Sequence, residues 1–293
     1  MRILITILLI LSFGYSESQV INAHVRYRGF VSGFDSLLLD SAKYSNAAVA
    51  YSLRRLRNAY TGNCIRIRKD TTGQPEQDIG FSGGVVDTNA IKSFLNANSG
   101  FVVTWYDQSG NARNATQSTA GNQPRIALNG VIDRKLGKPF MFFGSSGTLF
   151  LEHVFSSNLS QPGTAFLTIE YTNTGSQVSI GSNNDATRWQ MFRRGDGTNR
   201  LSIFAGGTLS DPNTSASPVI QYALFNGASS VTGVNGSVTS GNAGTNQISS
   251  VRIGTHSTTG LRGFISEYIL YNSNNSTNRT PIESNINTFY AIY

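Results

Sequence analysis

The residues of this chain that could do chemistry are few enough to weigh one by one. Two carboxyl groups about 5 Å apart can serve as nucleophile and acid/base at a glycosidic bond, and 16 acidic residues are available. Glu170 is the best placed of them. In Phe166-Leu167-Thr168-Ile169-Glu170-Tyr171-Thr172, strand alternation puts Thr168, Glu170 and Thr172 on one face and Leu167, Ile169 and Tyr171 on the other. On a concave, ligand-facing surface Glu170 is a catalytic or sugar-binding carboxylate; on an ordinary face it is a solvated strand residue. Glu267 stands among Ile265, Ile269 and Tyr271 and reads as a paired structural carboxylate near a sheet edge. Asp107, before Gln108-Ser109-Gly110-Asn111, suits a turn in which the carboxylate accepts backbone N–H groups. The alternative is calcium, for which Asp107, Ser109 and Asn111 offer oxygen ligands. Asp185 and Asp196 read as turn residues. His24, His153 and His256 are scattered, and no His-x-x-x-His spacing, Gly-x-Ser-x-Gly elbow or phosphate loop occurs, so no metal or cofactor beyond calcium is expected.

Ligand recognition needs different groups. A sugar's apolar face stacks on an aromatic ring while amides and carboxylates satisfy its hydroxyls, and Trp189, Gln190, Asp185 and His256 form the candidate binding set. Trp189 reads equally as a core residue. Trp105 reads as core, because it alternates with Val103 on an apolar strand. The loops Gly181–Arg188 and Phe204–Asp211, rich in Gly, Asn and Ser, are where a site is expected.

These groups must be positioned mainly by strands. Cys64 to Lys69 alternates, with Ile65 and Ile67 on one face and Arg66 and Arg68 on the other, which is a half-buried strand. Further strands are predicted at Phe101–Tyr106, Phe140–Phe143, Ala165–Tyr171, Gln177–Ile180, Trp189–Arg193, Leu201–Ala205, Ile220–Phe225, Ser229–Val234, Ser249–Gly254 and Gly263–Tyr271. Gly-, Asn- and Asp-bearing turns separate several of them, the pattern of a β-sandwich or jelly roll. Phe34 to Arg57 reads as helical or irregular. Asp87 to Leu95 predicts a short helix, with Asp87 or Thr88 as N-cap. Thr280 to Tyr293 carries Ile282, Ile286, Phe289 and Tyr290 at helical spacing, predicting a C-terminal helix.

Arg2, the apolar run Ile3 to Phe13, and then Gly14, Ser16 and Ser18 have the order of a secretory signal peptide. Residues 1–18 are therefore expected to be removed on export, leaving residues 19–293 as one domain and placing the product outside the cell or on its surface. The apolar run is shorter than the roughly 20 residues a membrane span needs. Charged residues make up 13% of the chain and Gly totals 30, a turn-rich composition with a neutral polar surface. Cys64 is the only cysteine, so no intrachain disulfide can form and the core must hold the domain. The net charge of +7 concentrates only between Arg54 and Lys69 with no nucleic-acid-binding motif beside it, and no nucleic-acid partner is expected.

The run Trp105-Tyr106-Asp107-Gln108-Ser109-Gly110-Asn111-Ala112-Arg113-Asn114-Ala115-Thr116-Gln117 resembles the start of the α-L-arabinofuranosidase B catalytic domain and, more widely, concanavalin A-like (LamG-like) jelly-roll modules. The resemblance extends over Ala50 to Arg57, Tyr60-Thr61-Gly62, Ile65 to Arg68, Gln77 to Phe81, Gly137 to Phe140, Val234-Asn235-Gly236, Arg252-Ile253-Gly254 and Gly263 to Asn272. It implies an all-β, concanavalin A-like sandwich with short helices near the N-terminus and at the C-terminus. The same resemblance implies a Glu nucleophile in an Asp-Met-Glu-Asn-like strand, an Asp acid/base in a Gly-Gly-Asp turn, and a vicinal cysteine pair. The matching stretches here are Leu201 to Gly207, without a carboxylate, and Gly254-Thr255-His256, while one cysteine cannot make a pair.

The expectation is a secreted carbohydrate-recognition module whose partner is a polysaccharide or cell-surface glycan and whose catalytic carboxylates are lost. The alternatives are an active retaining α-L-arabinofuranosidase using another carboxylate, Glu170 first, and a structural or adhesive surface module.

Overall fold

The computed structural model describes residues 37–144, 147–214, 218–257 and 259–293. The expected signal peptide, residues 1–18, lies outside the described residues. The chain divides between Leu37 and Leu38, and the architecture below is that of Leu38–Tyr293.

Two antiparallel sheets face each other. In the first, the order is Ser237–Gly241, Ser230–Val234, Val219–Phe225, Gly163–Tyr171, Gly263–Tyr271. Val49–Ser52 and Met141–Phe142 both complete its far side against Gly263–Tyr271. In the second sheet the order is Thr208–Ser210, Leu201–Phe204, Gln190–Arg193, Gln177–Gly181, Ile248–Ile253, Leu151–Leu159, Ala115–Thr116, Gly100–Trp105, Ile65–Lys69, Glu76–Ile79. Arg125–Leu128 joins the sheets at one end, pairing with both Gly100–Trp105 and Met141–Phe142.

Strand periodicity builds two apolar layers. Leu167, Ile169 and Tyr171 of the first sheet meet Ile65, Trp105, Leu151, Ile180, Met191, Ile203 and Ile253 of the second in the core between them. Phe166, Ile220, Tyr222, Ile269 and Tyr271, one residue out of phase, point the other way. They are covered by the C-terminal helix, α2 (Arg279–Tyr290), through Ile282, Ile286 and Tyr290. Both faces of this sheet are therefore apolar, and Val219–Phe225 is buried along its whole length. The helix α1 (Thr88–Leu95) is capped by Asp87, whose carboxylate accepts from the N–H groups of Asn89 and Ala90, each at 3.0 Å.

Several strands are absent from the sequence reading, the short Ala115–Thr116, Arg125–Leu128 and Thr208–Ser210 among them. Val49–Ser52, expected within a helical or irregular stretch, is a strand buried at every residue. A strand with both faces covered shows no alternation, and Ala-Val-Ala carries no period that separates it from a helix. Glu76–Ile79, Leu151–Leu159 and Ser237–Gly241 were not anticipated because polar residues interrupt their pattern. Among the described residues no helix is long and apolar enough to cross a membrane.

Candidate functional site

A polar cluster forms where the loop after Gln177–Gly181 meets the hairpin of Thr255–His256 and Thr259–Gly260. His256 Nε2 lies 2.7 Å from Asp185 Oδ1 and 2.8 Å from Arg188 Nη1, and its Nδ1 lies 2.7 Å from the Ser182 carbonyl oxygen. The carbonyl can only accept, so Nδ1 carries a proton. At Nε2 a neutral ring accepts from Arg188, whereas a protonated ring donates to Asp185. Arg188 also pairs with Asp185 and lies over the Phe204 ring, 4.6 Å from its centroid. The His256 hydrogen bond, with Arg188 nearby, holds the Asp185 carboxyl below its ordinary range. Asp185 remains 79% exposed at its side chain, against 11% for His256.

Two glycines make this approach possible. Gly254 has φ +106°, and a Cβ there would sit 2.3 Å from the Phe143 ring. At Gly181 an added Cβ would stand 2.7 Å from His256 Cβ. A hydroxyl set anchors the loop beneath: Ser182 Oγ is within 3.1 Å of Ser250 Oγ, and Thr187 Oγ1 donates to Ser249 Oγ at 2.9 Å. Gln190 lies opposite Phe204 in the neighbouring strand pair, on the face away from the core, since its neighbour Met191 is a core residue.

Of the candidate binding residues, the fold thus brings Asp185, Gln190 and His256 to one region and excludes Trp189. The Trp189 ring is 1% exposed, stacks on Phe225 with centroids 4.9 Å apart, and donates its indole N–H to the Asn246 carbonyl. A ring packed in the core presents no face to a sugar, so its stacking role is corrected to a structural one. Arg188 and Phe204 lie at the ends of the two loops, Gly181–Arg188 and Phe204–Asp211, where a site is expected, although neither stands in the candidate binding set.

Glu170 does not join this cluster. It shares the outer face of the helix-covered sheet with Phe166, on the far side of the core from Asp185 and His256, and its carboxylate is bound by Lys135. Lys135 also lies over the Phe264 ring, 4.1 Å from its centroid. The alternation expected of this strand holds, and the face it gives Glu170 is the helix-covered one rather than a concave surface beside the binding loops. Glu267 is 0% exposed and clasped by Arg54, whose Nε and Nη2 donate at 2.7 and 3.0 Å, and by Ser52 Oγ at 2.7 Å. A bulge in the strand pairing between Thr168 and Ile169 sends Ile265 to the opposite face.

Asp107 is consumed by the protein. Its Oδ1 accepts from Ala50 N at 2.8 Å and Ser109 N at 2.9 Å, and its Oδ2 from Ser109 Oγ at 2.6 Å and Arg113 N at 3.1 Å. Asn111 Nδ2 donates to the carbonyls of Ala47 and Ala48. Gln108 Nε2 donates to those of Ser52 and Arg54, while its Oε1 accepts from Leu56 N. The turn stitches Gly100–Trp105 to Val49–Ser52, and a calcium ion at Asp107 would have to displace these donors. Among the described residues no three His, Cys, Asp or Glu side chains converge to hold a metal.

No protein-family model matches the sequence, and no curated protein sequence matches it. Solved structures do resemble it in fold. A glycoside hydrolase family 54 α-L-arabinofuranosidase soaked with a cyclic sulfate inhibitor superposes with a TM-score of 0.66 at 14% identity, over 82% of this chain and 62% of that one. An arabinofuranosidase complexed with arabinofuranosyl-α-1,2-xylobiose gives 0.64 at 14% identity, with the same coverage of 82% and 62%. The chain therefore spans under two thirds of the length of these enzymes. What these superpositions share with the chain is its fold, an arabinofuranosidase-B-like β-sandwich.

Proposed function

We propose that this chain is an exported carbohydrate-recognition module of concanavalin A-like (LamG-like) type, with residues 19–293 as its domain and without arabinofuranosidase chemistry. One observation carries the reading. The two stretches that resemble the enzyme's nucleophile and acid/base segments, Leu201 to Gly207 and Gly254 to His256, come together through Arg188, which touches both Phe204 and His256. In place of two free carboxyl groups, the junction holds a phenyl ring, a guanidinium, an imidazole and one carboxylate engaged by both the guanidinium and the imidazole. Such a set can accept and donate hydrogen bonds to sugar hydroxyls, but it lacks the carboxylate pair that retaining hydrolysis requires. The exposed carboxylate of Asp185 supplies the hydroxyl-binding group, whereas Gln190 is buried.

The test is hydrolysis of p-nitrophenyl α-L-arabinofuranoside by purified protein, followed by a glycan array. No turnover is expected, together with array binding that falls at least tenfold in Asp185→Asn. Turnover that disappears in Glu170→Gln would overturn the noncatalytic reading and make Glu170 a catalytic carboxylate.

A further inference from the structure

The outer face of the second sheet carries a polar row running across its strands. Opposed residues in antiparallel pairs point to the same side. The register is continuous: Asp78 faces Arg66, Arg66 faces Thr104, Thr104 faces Thr116, Thr116 faces Glu152, Glu152 faces Arg252, and Arg252 faces Gly181. The residues beside them, Ile65, Trp105, Ala115, Leu151 and Ile253, lie in the core, which fixes the row on the opposite, outward side. Six strand-to-strand steps of about 4.8 Å make it about 29 Å long. It ends at Gly181, which packs against His256 and begins the loop bearing Asp185.

In the middle of the row, two short threonines stand between long charged side chains. Above them lies a groove of about 540 Å³, lined by Val103, Gln117, Phe150 and Glu152 as well as by Thr104 and Thr116. The charges flanking it cancel locally. Arg66 donates to Asp78 and Arg252 to Glu152, each at 2.8 Å, and Tyr106 adds a hydrogen bond to Asp78 at 2.6 Å. Glu152 Oε1 and Arg252 Nε, both removed from solvent, carry no protein partner. A carboxylate oxygen left that way is costly, and because Glu152 lines the groove, a turn of its side chain brings that oxygen to a ligand hydroxyl.

We infer that this row is the floor of an extended groove that binds a neutral polysaccharide chain laid across the strands, with one end at the Asp185–His256 loop. The inference rests on the carbohydrate-recognition reading above and adds the mode of binding. Paired charges offer directional hydrogen bonds without a net field, which suits a hydroxyl-rich neutral polymer and gives an anionic one no advantage. The aliphatic Val103 supplies surface for the C–H faces of sugar rings, beside the Phe150 ring that the Arg252 guanidinium covers on one side at 4.5 Å from its centroid.

Calorimetric titration with arabinotriose, arabinohexaose, xylohexaose and hexagalacturonate tests this, using wild-type protein and Thr116→Arg. Thr116 is exposed, so the arginine fills the groove without entering the core. At least one neutral hexasaccharide is expected to bind tenfold or more tighter than arabinotriose. Thr116→Arg is expected to abolish that gain while leaving arabinotriose affinity within twofold. Amide chemical-shift changes at Thr104 and Thr116 on adding the hexasaccharide report the same event without mutation. Equal affinities for short and long probes, unchanged in Thr116→Arg, would overturn the groove and leave the loop site standing. Tighter binding of hexagalacturonate than of either neutral hexasaccharide would overturn the assignment to a neutral chain. Absence of binding by every probe would remove the carbohydrate reading itself.

Discussion

Trp189 and Asp185 lie four residues apart, yet burial assigns them opposite work. The indole is sandwiched in the core against Phe225 and hydrogen-bonded to Asn246, while the carboxylate stands at the surface beside His256. Trp189→Ala should therefore cost about 3–5 kcal/mol of stability, the usual loss for a large aromatic deleted from a packed core, measured by urea unfolding. A variant that kept its stability but lost glycan affinity would restore the ring to the binding site. Asp185 and His256 were legible as polar loop residues, but their contact at 2.7 Å across 71 positions was not. Nothing in local spacing reports which loops a sandwich brings together.

At the level of elements, the C-terminal helix depends on a buried ion pair. Arg54 and Glu267 are 6% and 1% exposed at their side chains, and Arg54 Nη1 reaches Asn285 on the helix at 2.8 Å. Burial together with the Glu267 charge pushes the Tyr290 phenol well above its ordinary range. Arg54→Met leaves Glu267 charged and unpaired under the helix, at an expected cost of about 3–5 kcal/mol, whereas Arg54→Met with Glu267→Met should recover most of it. Denaturant unfolding of the two single variants and the double variant closes the cycle, and additive losses would show that the two groups act independently. The sequence pattern marked Glu267 as a paired carboxylate. It could not name Arg54, 213 residues earlier, because strand pairing and not sequence proximity sets that contact.

Across the whole molecule, one sheet belongs to two apolar layers at once. Gly163–Tyr171 sends Leu167 and Ile169 inward and Phe166 toward the helix, so neither layer can be lost while the other keeps its wall. Thermal unfolding followed by far-UV and near-UV circular dichroism should accordingly give coincident transitions; an earlier near-UV transition would mean that the helix layer melts separately. The same folding disperses the basic run of the sequence. Arg54 is buried on Glu267, Arg55 lies over Phe81, Arg57 donates to the Ser45 carbonyl, and Arg66 pairs with Asp78. With Arg68 on Gln123 and Lys69 over Phe94, what looks like a cationic stretch in one dimension becomes separate interactions in three.

Period-two alternation, turn residues and an Asp N-cap are local signals, and they were enough to establish an all-β sandwich, the helix at Thr88–Leu95 and a C-terminal helix. The motif around Asp107 was legible as a turn for the same reason, since Ser109 N and Ser109 Oγ are near neighbours of the carboxylate. Facing, registry and burial are nonlocal. Strand order placed Glu170 on the helix-covered sheet and buried Trp189. It also aligned Asp78, Arg66, Thr104, Thr116, Glu152 and Arg252 into one row. Each of those residues is one of two possible faces of its own strand, and only the pairing of strands far apart in the chain turns six such choices into a surface.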